Sequence, residues 1–435
     1  MCGASVRVRV EPVAALRGDL AVPGDKSISH RVLLIGAIAE GETEIEGFGA
    51  SEDTLATAGA VRALGVNVEI DGDRARVGGV GLHGLRLPQE PLDCGNAGTL
   101  MRLLAGILAG HGGRFELVGD ESLSRRPLDR IAEPLREMGA QVETTDGHAP
   151  LLLQGGGLEP IRYELPVASA QVKSCVLLAG LYAARGHTSV VEPAPTRDHT
   201  ERLLEAAGAR LARIGRREIG IWPAERLAPL EVAIPGDFSS AAPFLAAATL
   251  LPGSSLRLHG VGINPTRTGF LAVLERMGAR IAVFNRRSAG GEPVADLEAA
   301  PAELVATAIR PEEVPLLVDE LPLFALVAGM ARGQSVVRGA QELRVKESDR
   351  LEAVRSLLRP LGVRIETTRD GFKVRGVPAR PRGGGTVDAH GDHRIAILAA
   401  VAGAVSREGV SITGADSVGV SFPGFFEMLD SLAVR

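Results

Sequence analysis

Four lysines stand among the 48 basic residues of this 435-residue chain. Lys26 in PGDKS, Lys173 in SAQVK and Lys346 in RVKESDR lie in compact polar clusters, whereas Lys373 in GFKVRG reads as a plain strand residue. An ammonium group gives up its proton near neutral pH when its surroundings lower its pKa, and a guanidinium does not. Chance retention is the alternative, but we expect chemistry in PGDKS and RVKESDR.

Polar clusters such as PGDKS precede apolar stretches that predict buried helices, and RVKESDR lies in a loop before a second, amphipathic helix. The first turn of a helix presents unpaired N–H groups and a partial positive charge, so such starts are ready anion sites. Arginines in the same clusters and in the loops that follow suit a substrate with several phosphate or carboxylate groups; they are Arg31, Arg126, Arg197, Arg267, Arg350 and Arg394. The alternative is ordinary ion pairing with neighbours such as Glu347 and Asp349.

Acidic and neutral residues in these clusters have competing interpretations. Asp319 and Glu347 are candidates for general acid and base, because carboxylates stay ionised in so basic a neighbourhood unless they are buried or used in proton transfer. Asp237 and Ser239 are expected to be helix N-caps. His393 in GDHR could cap a helix, pair with a neighbour or shuttle a proton, and the residues alone leave these open.

One pattern returns six times, at intervals of about 70 to 80 residues. It consists of a polar cluster, an apolar helix rich in small residues, a β-rich stretch, an arginine-bearing loop and a second, amphipathic helix. A first helix that is apolar nearly all round, such as VLLIGAIA, must be buried on all sides. We therefore expect an α/β fold of buried helices and outer sheets.

Pro-Gly turns in AVPGDK and AIPGDF suggest boundaries near residues 22 and 235. They predict an upper domain of residues 23–235 and a lower domain of residues 1–22 plus 236–435, with hinges at both boundaries and the site in the cleft between them.

Composition excludes several classes of function. A net charge of −5 gives no general attraction to nucleic acid or to an anionic membrane. Three isolated cysteines, Cys2, Cys94 and Cys175, lack the spacing of metal ligands, and no apolar stretch reaches the length of a membrane span. Walker, dinucleotide, zinc-protease and nucleophile-elbow motifs are absent from the sequence. We expect a cytoplasmic protein without metal.

The motifs PGDKSISHR, GNAGT, SAQVK, TRDHTE, NPTRTG, ELRVKESDRL and GDHRIA, in this order, resemble those of the 5-enolpyruvylshikimate-3-phosphate synthase family, and several resemble its class II branch. The resemblance covers essentially the whole chain. It implies two inside-out α/β barrel domains, each of three βαβαββ repeats. It also implies transfer of the enolpyruvyl group of phosphoenolpyruvate to the 5-hydroxyl of shikimate-3-phosphate by addition and elimination, without metal or organic cofactor, by a protein expected to be a monomer.

The resemblance also implies roles for particular residues. Those expected to bind shikimate-3-phosphate are Lys26, Ser27, Arg31, Ser169, Ala170, Gln171, Arg197, Asp319 and Lys346. Those expected to bind phosphoenolpyruvate are Lys26, Gly98, Arg126, Gln171, Arg350 and Arg394. The catalytic candidates are Asp319, Glu347, Lys26, Lys346 and His393, with Asp319 taking the 5-hydroxyl proton.

One position departs from the family pattern. Many relatives carry a lysine just before the late SFP motif, and this chain has Val420. Two rival functions share some of these features: the related transferase that acts on UDP-N-acetylglucosamine, and a non-catalytic scaffold. PGDKS in place of a Lys-Asn start and the lack of a loop cysteine disfavour the first, and the retained Lys26, Asp319, Lys346 and Glu347 disfavour the second.

Overall fold

A computed structural model describes residues 6–435, so Cys2 lies outside the described residues. The chain divides into two compact units. Domain I contains Gly24–Pro235 together with Ser288–Glu292. Domain II contains the described residues up to Pro23, Gly236–Arg287 and Pro293–Arg435.

Domain I holds seven α-helices among its described residues. They are α1 (Lys26–Ala37), α2 (Glu52–Ala63), α3 (Gly98–Leu108), α4 (Glu121–Ser124), α5 (Asp129–Glu137), α6 (Ala170–Gly180) and α7 (His199–Ala206).

Three four-stranded sheets complete domain I. In the order of hydrogen-bonded neighbours, the first consists of Glu231–Ala233, Glu40–Glu46, Arg74–Val80 and Asn67–Asp71. The second consists of Leu92–Asp93, Gly113–Val118, His148–Gly155 and Gln141–Thr145. The third consists of Arg162–Glu164, Thr188–Val191, Glu218–Ile221 and Leu211–Gly215.

Domain II holds six α-helices and three short 3₁₀ helices among its described residues. The α-helices are α8 (Phe238–Leu250), α9 (Gly269–Arg276), α10 (Leu321–Met330), α11 (Arg350–Leu358), α12 (His393–Val405) and α13 (Phe425–Leu432). The 3₁₀ helices are Val314–Leu316, Gln341–Val345 and Ala415–Val420.

The sheets of domain II have five, four and three strands. The first consists of Arg280–Ala289, Glu292–Ala300, Ser255–Gly262, Ala15–Ala21 and Ala433–Val434. The second consists of Ala308–Ile309, Gly333–Val337, Gly371–Gly376 and Arg364–Thr368. The third consists of Arg7–Val10, Val410–Thr413 and Thr386–Asp388.

Each of these six sheets contains one parallel pair of strands, and the other pairs with a described register are antiparallel. Two of the parallel partners are distant in sequence: Glu231–Ala233 pairs with Glu40–Glu46, and Ala15–Ala21 pairs with Ser255–Gly262. A parallel pair needs a crossover between its strands, and buried helices supply it in most repeats.

The first helix of each repeat lies in the core of its domain, as its apolar sequence predicts. Every residue of α8 is buried, and α1 is buried from Ile28 to Ala37. Close packing uses small residues: a Cβ on Gly106 of α3 would lie 2.3 Å from the carbonyl oxygen of Cys175 in α6. The amphipathic second helices bury only one side. The buried helices therefore bring their polar first turns to defined places.

No helix in residues 6–435 is long and apolar enough to cross a membrane.

Candidate active site

Three buried helices of domain I begin at predicted site residues: α1 at Lys26, α3 at Gly98 and α6 at Ala170. Asp25 caps α1 by accepting from the Ile28 amide at 3.0 Å, and Ser169 caps α6. In the part of the chain that the structure describes, no side chain caps α3. These first turns carry the positive end of the helix dipole, which favours anions.

Lys26 pairs with Asp53, a residue outside the predicted site set. Its Nζ lies 2.7 Å from Oδ2 of Asp53, in the first turn of α2. The Asp53 side chain is 9% exposed, and within residues 6–435 its Oδ1 accepts no hydrogen bond. A carboxylate here fixes the ammonium of Lys26 in position. Aspartates are common at helix starts, so the sequence offered no specific signal for Asp53.

Arg31 and Arg197 lie close enough to repel each other. The buried Arg31 donates from Nε to Thr200 Oγ1 at 2.7 Å, from Nη1 to the Ser27 carbonyl at 2.8 Å and from Nη2 to Ser174 Oγ at 3.2 Å. Arg197 donates to Ser27 Oγ at 3.5 Å.

Burial, and after it the charge of Arg197, lowers the pKa of Arg31 to about 10. A bound phosphate or carboxylate would relieve this repulsion. The Arg31–Arg197–Ser27 cluster therefore has the charge of an anion site.

Arg126 is positioned by the loop that precedes α3. It donates from Nη2 to Asn96 Oδ1 at 2.5 Å and to Ser122 Oγ at 3.2 Å, and from Nη1 to the Asn96 carbonyl at 3.3 Å. Gly98 lies beside it, since a Cβ added to Gly98 would be 3.2 Å from Nη1 of Arg126 and 2.9 Å from Nη1 of Arg102. The start of α3 is thus lined by two guanidinium groups.

Gln171 is oriented by hydrogen bonds on both sides of its amide. Its Oε1 accepts from Arg102 Nη1 at 2.6 Å, and its Nε2 donates to Thr99 Oγ1 at 2.9 Å. Arg102 was missed because it sits inside the apolar run MRLLAG, where the pattern gave no sign of a site residue. The two bonds fix which face of the amide is offered to a ligand.

Arg350 of domain II is enclosed by carboxylates. It forms a two-point contact with the buried Asp392, at 2.8 Å and 3.1 Å, and further contacts with Glu347 at 2.6 Å and Asp319 at 3.5 Å. Burial alone would lower the pKa of Arg350, but these carboxylates, Asp392 first, outweigh it and raise the pKa.

The ion pair with Glu347 was one of the alternatives from sequence. Asp349 instead pairs with Arg344 at 2.6 Å.

Asp319 and the buried Glu320 share a second arginine. Arg267 Nη1 lies 3.7 Å from Asp319 Oδ2 and 3.3 Å from Glu320 Oε1. Glu320, which the sequence analysis did not single out, also lies 3.9 Å from Nη1 of Arg394. Arg394 follows His393, the first and buried residue of α12. Domain II therefore brings Asp319 and Glu347 to Arg350, and Arg394 to Glu320.

Lys346 follows the 3₁₀ helix Gln341–Val345 and is partly buried. Burial lowers the pKa of Lys346, while the carboxylates of Asp319 and Glu347 oppose that shift. A lysine with a lowered pKa next to two carboxylates is suited to proton transfer as well as to charge pairing.

The expected capping roles are half right. Asp237 caps α8 by accepting from the Ser239 amide at 2.8 Å. The prediction for Ser239 was wrong, because this residue lies inside the helix and its hydroxyl donates to Glu320.

The described cysteines are free and buried, as expected for small core residues. Burial raises the pKa of Cys175 to about 12 and also raises the pKa of Cys94. Neither thiol is a thiolate nucleophile near neutral pH.

One group of side chains has the proximity of metal ligands: Asp198, His199 and Glu292 offer ligand atoms within 4.8 Å of one another. His199 Nδ1 lies 2.7 Å from Glu292 Oε1, and Arg202 Nε lies 3.0 Å from Asp198 Oδ1. The guanidinium already balances carboxylate charge here, so the geometry is that of an ion-paired cluster.

Comparison with known proteins shows which family the chain belongs to. The model of the EPSP synthase (3-phosphoshikimate 1-carboxyvinyltransferase) family matches residues 10–429. A 3-phosphoshikimate 1-carboxyvinyltransferase of Acidithiobacillus ferrooxidans is 52% identical over 420 residues, which are 96% of each chain. One from Alkalilimnicola ehrlichii is 52% identical over 430 residues, 98% of this chain and 95% of that protein.

Solved structures agree. EPSP synthase from Acinetobacter baumannii superposes with a TM-score of 0.86 at 43% identity, covering 99% of this chain and 98% of that one. The enolpyruvyl transferase NikO from Streptomyces tendae has a TM-score of 0.80 at 20% identity, over 99% and 98% of the two chains, and so shares the fold. The predicted enolpyruvyl transferase fold is confirmed. The chain belongs to the EPSP synthase family, the 3-phosphoshikimate 1-carboxyvinyltransferases.

Proposed function

We propose that the residue clusters described above catalyse the reaction of this family. In that reaction the enolpyruvyl group of phosphoenolpyruvate is transferred to the 5-hydroxyl of shikimate-3-phosphate, with release of phosphate, in aromatic amino acid biosynthesis. The observation that carries the proposal is that Arg31 and Arg197 both donate to Ser27 and that the charge of Arg197 lowers the pKa of Arg31. A bound anion favours two guanidinium groups held this close together.

Shikimate-3-phosphate is bound by cations and by hydrogen-bonding groups at two helix starts. Arg31, Arg197 and Ser27 supply the charge and hydroxyl already described, and the first turn of α6 supplies amides. The full proposed set is Lys26, Ser27, Arg31, Ser169, Ala170, Gln171, Arg197, Asp319 and Lys346.

Phosphoenolpyruvate is bound at the start of α3. Within residues 6–435 no side chain caps this helix, and Arg126 lies beside Gly98. Its carboxylate and phosphate both match the planar donors of guanidinium. The full proposed set is Lys26, Gly98, Arg126, Gln171, Arg350 and Arg394.

The proposed chemistry has two steps that balance in protons. Asp319 removes the proton of the 5-hydroxyl of shikimate-3-phosphate, and the hydroxyl oxygen adds to the central carbon of phosphoenolpyruvate. At the same time the methylene carbon of phosphoenolpyruvate gains a proton and becomes a methyl group. Phosphate then leaves the tetrahedral intermediate as the methyl group returns a proton. Glu347 and Lys26 are the proposed donors and acceptors at the carbon and the phosphate, with Lys346 and His393 as further catalytic candidates.

Two mutually repelling anions must meet for this reaction, and fixed cations lower that barrier by charge neutralisation and positioning. The test is phosphate release from phosphoenolpyruvate with and without shikimate-3-phosphate. We expect release only when both are present. Release that ignores the second substrate, or a product formed with UDP-N-acetylglucosamine instead, would overturn the assignment.

We also infer that the protein works as a cytoplasmic monomer on these small molecules, without nucleic acid or membrane. Support comes from the free thiols of Cys94 and Cys175 and from the net charge of −5. Light scattering should give the 45.4 kDa of one chain. A doubled mass, or recovery of the activity in a membrane or periplasmic fraction, would contradict the inference.

A further inference from the structure

We propose that Lys173 is a positioning residue: through a buried ion triad with Glu192 and Glu201 it holds the segment that carries Arg197, and so sets the affinity for shikimate-3-phosphate. The proposal rests on the assignment of Arg197 to that substrate.

Lys173 lies on α6 and its side chain is 1% exposed. Its Nζ is 2.6 Å from Oε1 of Glu201 and 3.1 Å from Oε1 of Glu192, and it donates to the Thr196 carbonyl at 3.5 Å. An ammonium group has three N–H donors and a compact charge, and these three oxygen atoms match its three donors. Lys173 therefore takes no part in the proposed substrate contacts, although it belongs to the SAQVK cluster.

The acceptors of Lys173 lie on both sides of Arg197 in the sequence. Glu192 Oε1 also accepts from the Thr196 amide at 3.2 Å and from the Thr196 hydroxyl. Thr196 is thus held at its amide, hydroxyl and carbonyl, directly before Arg197. Glu201 lies on α7, four residues after Arg197. The ammonium consequently joins the two ends of the segment to α6.

Removing the ammonium would leave two carboxylates facing each other. Glu201 Oε2 is buried and, among the described residues, accepts no hydrogen bond, so the carboxylate depends on the ammonium of Lys173 at Oε1 and on the charge of Arg31. Breaking a buried ion cluster by deleting one partner leaves uncompensated charge that the structure avoids by moving. The movable part is the segment from Glu192 to Asp198, which lies between strand Thr188–Val191 and α7.

A moved segment would shift Arg197 away from Ser27, to which it donates at 3.5 Å. The start of α3, with Gly98 and Arg126, belongs to other elements and keeps its own hydrogen bonds. Loss of the ammonium should therefore weaken binding of shikimate-3-phosphate and leave binding of phosphoenolpyruvate unchanged.

The experiment compares Lys173→Met with Lys373→Met, the same substitution at an exposed strand lysine. We expect KM for shikimate-3-phosphate to rise about 10- to 100-fold in Lys173→Met, as for a misplaced binding group, with KM for phosphoenolpyruvate and kcat within about threefold of the parent. Lys373→Met should match the parent. An equal rise in both KM values, or none, would overturn the proposal.

A mutant cycle separates positioning from general damage. If Lys173 acts through Arg197, then Lys173→Met should add little to the KM of an Arg197→Ala variant. Additive effects would refute the coupling.

Should Lys173→Met fail to fold, Lys173→Met with Glu201→Gln removes one carboxylate charge and decides the same question. A parent enzyme without shikimate-3-phosphate-dependent phosphate release would sink the proposed function itself. A normal KM in Arg197→Ala would sink only the role of Arg197, and with it this proposal.

Discussion

Lys26 and Asp53 form an ion pair of 2.7 Å in which the two side chains are 19% and 9% exposed. Lys26 is the residue proposed both to bind the two substrates and to transfer protons. Its ammonium is positioned by a carboxylate on another helix. Its partner explains how an ammonium stays in one orientation at a helix start that has its own cap in Asp25.

Lys26→Arg should keep the positive charge and lose the reaction. Guanidinium cannot give up its proton near neutral pH, so kcat should fall by about 10²- to 10³-fold while both KM values change less. Steady-state phosphate release measures this, with Lys373→Arg as the matched control. A Lys26→Arg enzyme with a normal kcat would rule out proton transfer by Lys26.

Gly98→Ala should weaken phosphoenolpyruvate binding. The added methyl would lie 2.9 Å from Arg102 Nη1 and 3.2 Å from Arg126 Nη1, so one guanidinium group must move. We expect a higher KM for phosphoenolpyruvate and an unchanged KM for shikimate-3-phosphate.

We also expect the inhibitor glyphosate to compete with phosphoenolpyruvate in the parent enzyme. An inhibition constant left unchanged by Gly98→Ala would count against a shared site.

The affinity for shikimate-3-phosphate should depend on pH through Lys346. Burial lowers the pKa of this lysine below its ordinary value of 10.5, so it loses its proton at a lower pH than an exposed lysine does. The KM should rise as the pH increases through that lowered pKa. Arginine keeps its proton over this range, so Lys346→Arg should flatten the alkaline limb. Superimposable pH profiles for the two enzymes would contradict this role.

Asp392→Asn should destabilise the protein. It removes one charge from a contact in which Asp392 is fully buried and Arg350 is 2% exposed. Leaving a buried charge unpaired costs about 3 to 5 kcal/mol of unfolding free energy. Because Glu347 and Asp319 still contact Arg350, we expect a loss below that range but above the ~1 kcal/mol at most that the exposed pair of Arg332 and Glu303 contributes. Urea unfolding of Asp392→Asn and Glu303→Gln compares the two, and equal losses would refute the argument.

Stability should fall in mild acid because of buried histidines. Burial lowers the pKa of His111, and the charge of His83 adds to that effect, so the folded state holds His111 neutral. In the unfolded chain it titrates near pH 6.5, so its contribution is complete above that pH and is lost as the pH falls towards the lowered folded pKa.

Unfolding free energies at pH 7.5 and 5.5 should therefore differ less in His111→Gln than in the parent. A difference of the same size in both proteins would exclude His111. His30 acts in the same direction, because burial, Lys26 and Arg31 lower its pKa.

The sequence could predict buried helices and outer sheets because those signals are local, whereas the two inside-out barrels of βαβαββ repeats were implied by the family resemblance. All-apolar runs such as α8 and α12 must be buried wherever they lie, and six similar runs with strand patterns between them define the repeats. It erred at Ser239, since a residue type favoured in caps is also a good donor to a buried carboxylate such as Glu320. Which role wins depends on a partner 81 residues away.

The amino-acid sequence by itself determined the repeat, the buried helices and the polar clusters at their first turns, because periodicity and helix-start chemistry act over a few residues. Only the tertiary structure decided that Asp53 pairs with Lys26 and that Asp392 encloses Arg350, across 27 and 42 residues of chain. It also places the ammonium of Lys173, from the SAQVK cluster, between the carboxylates of Glu192 and Glu201. Charges choose partners by distance and burial, and those are fixed only when the helices and sheets pack.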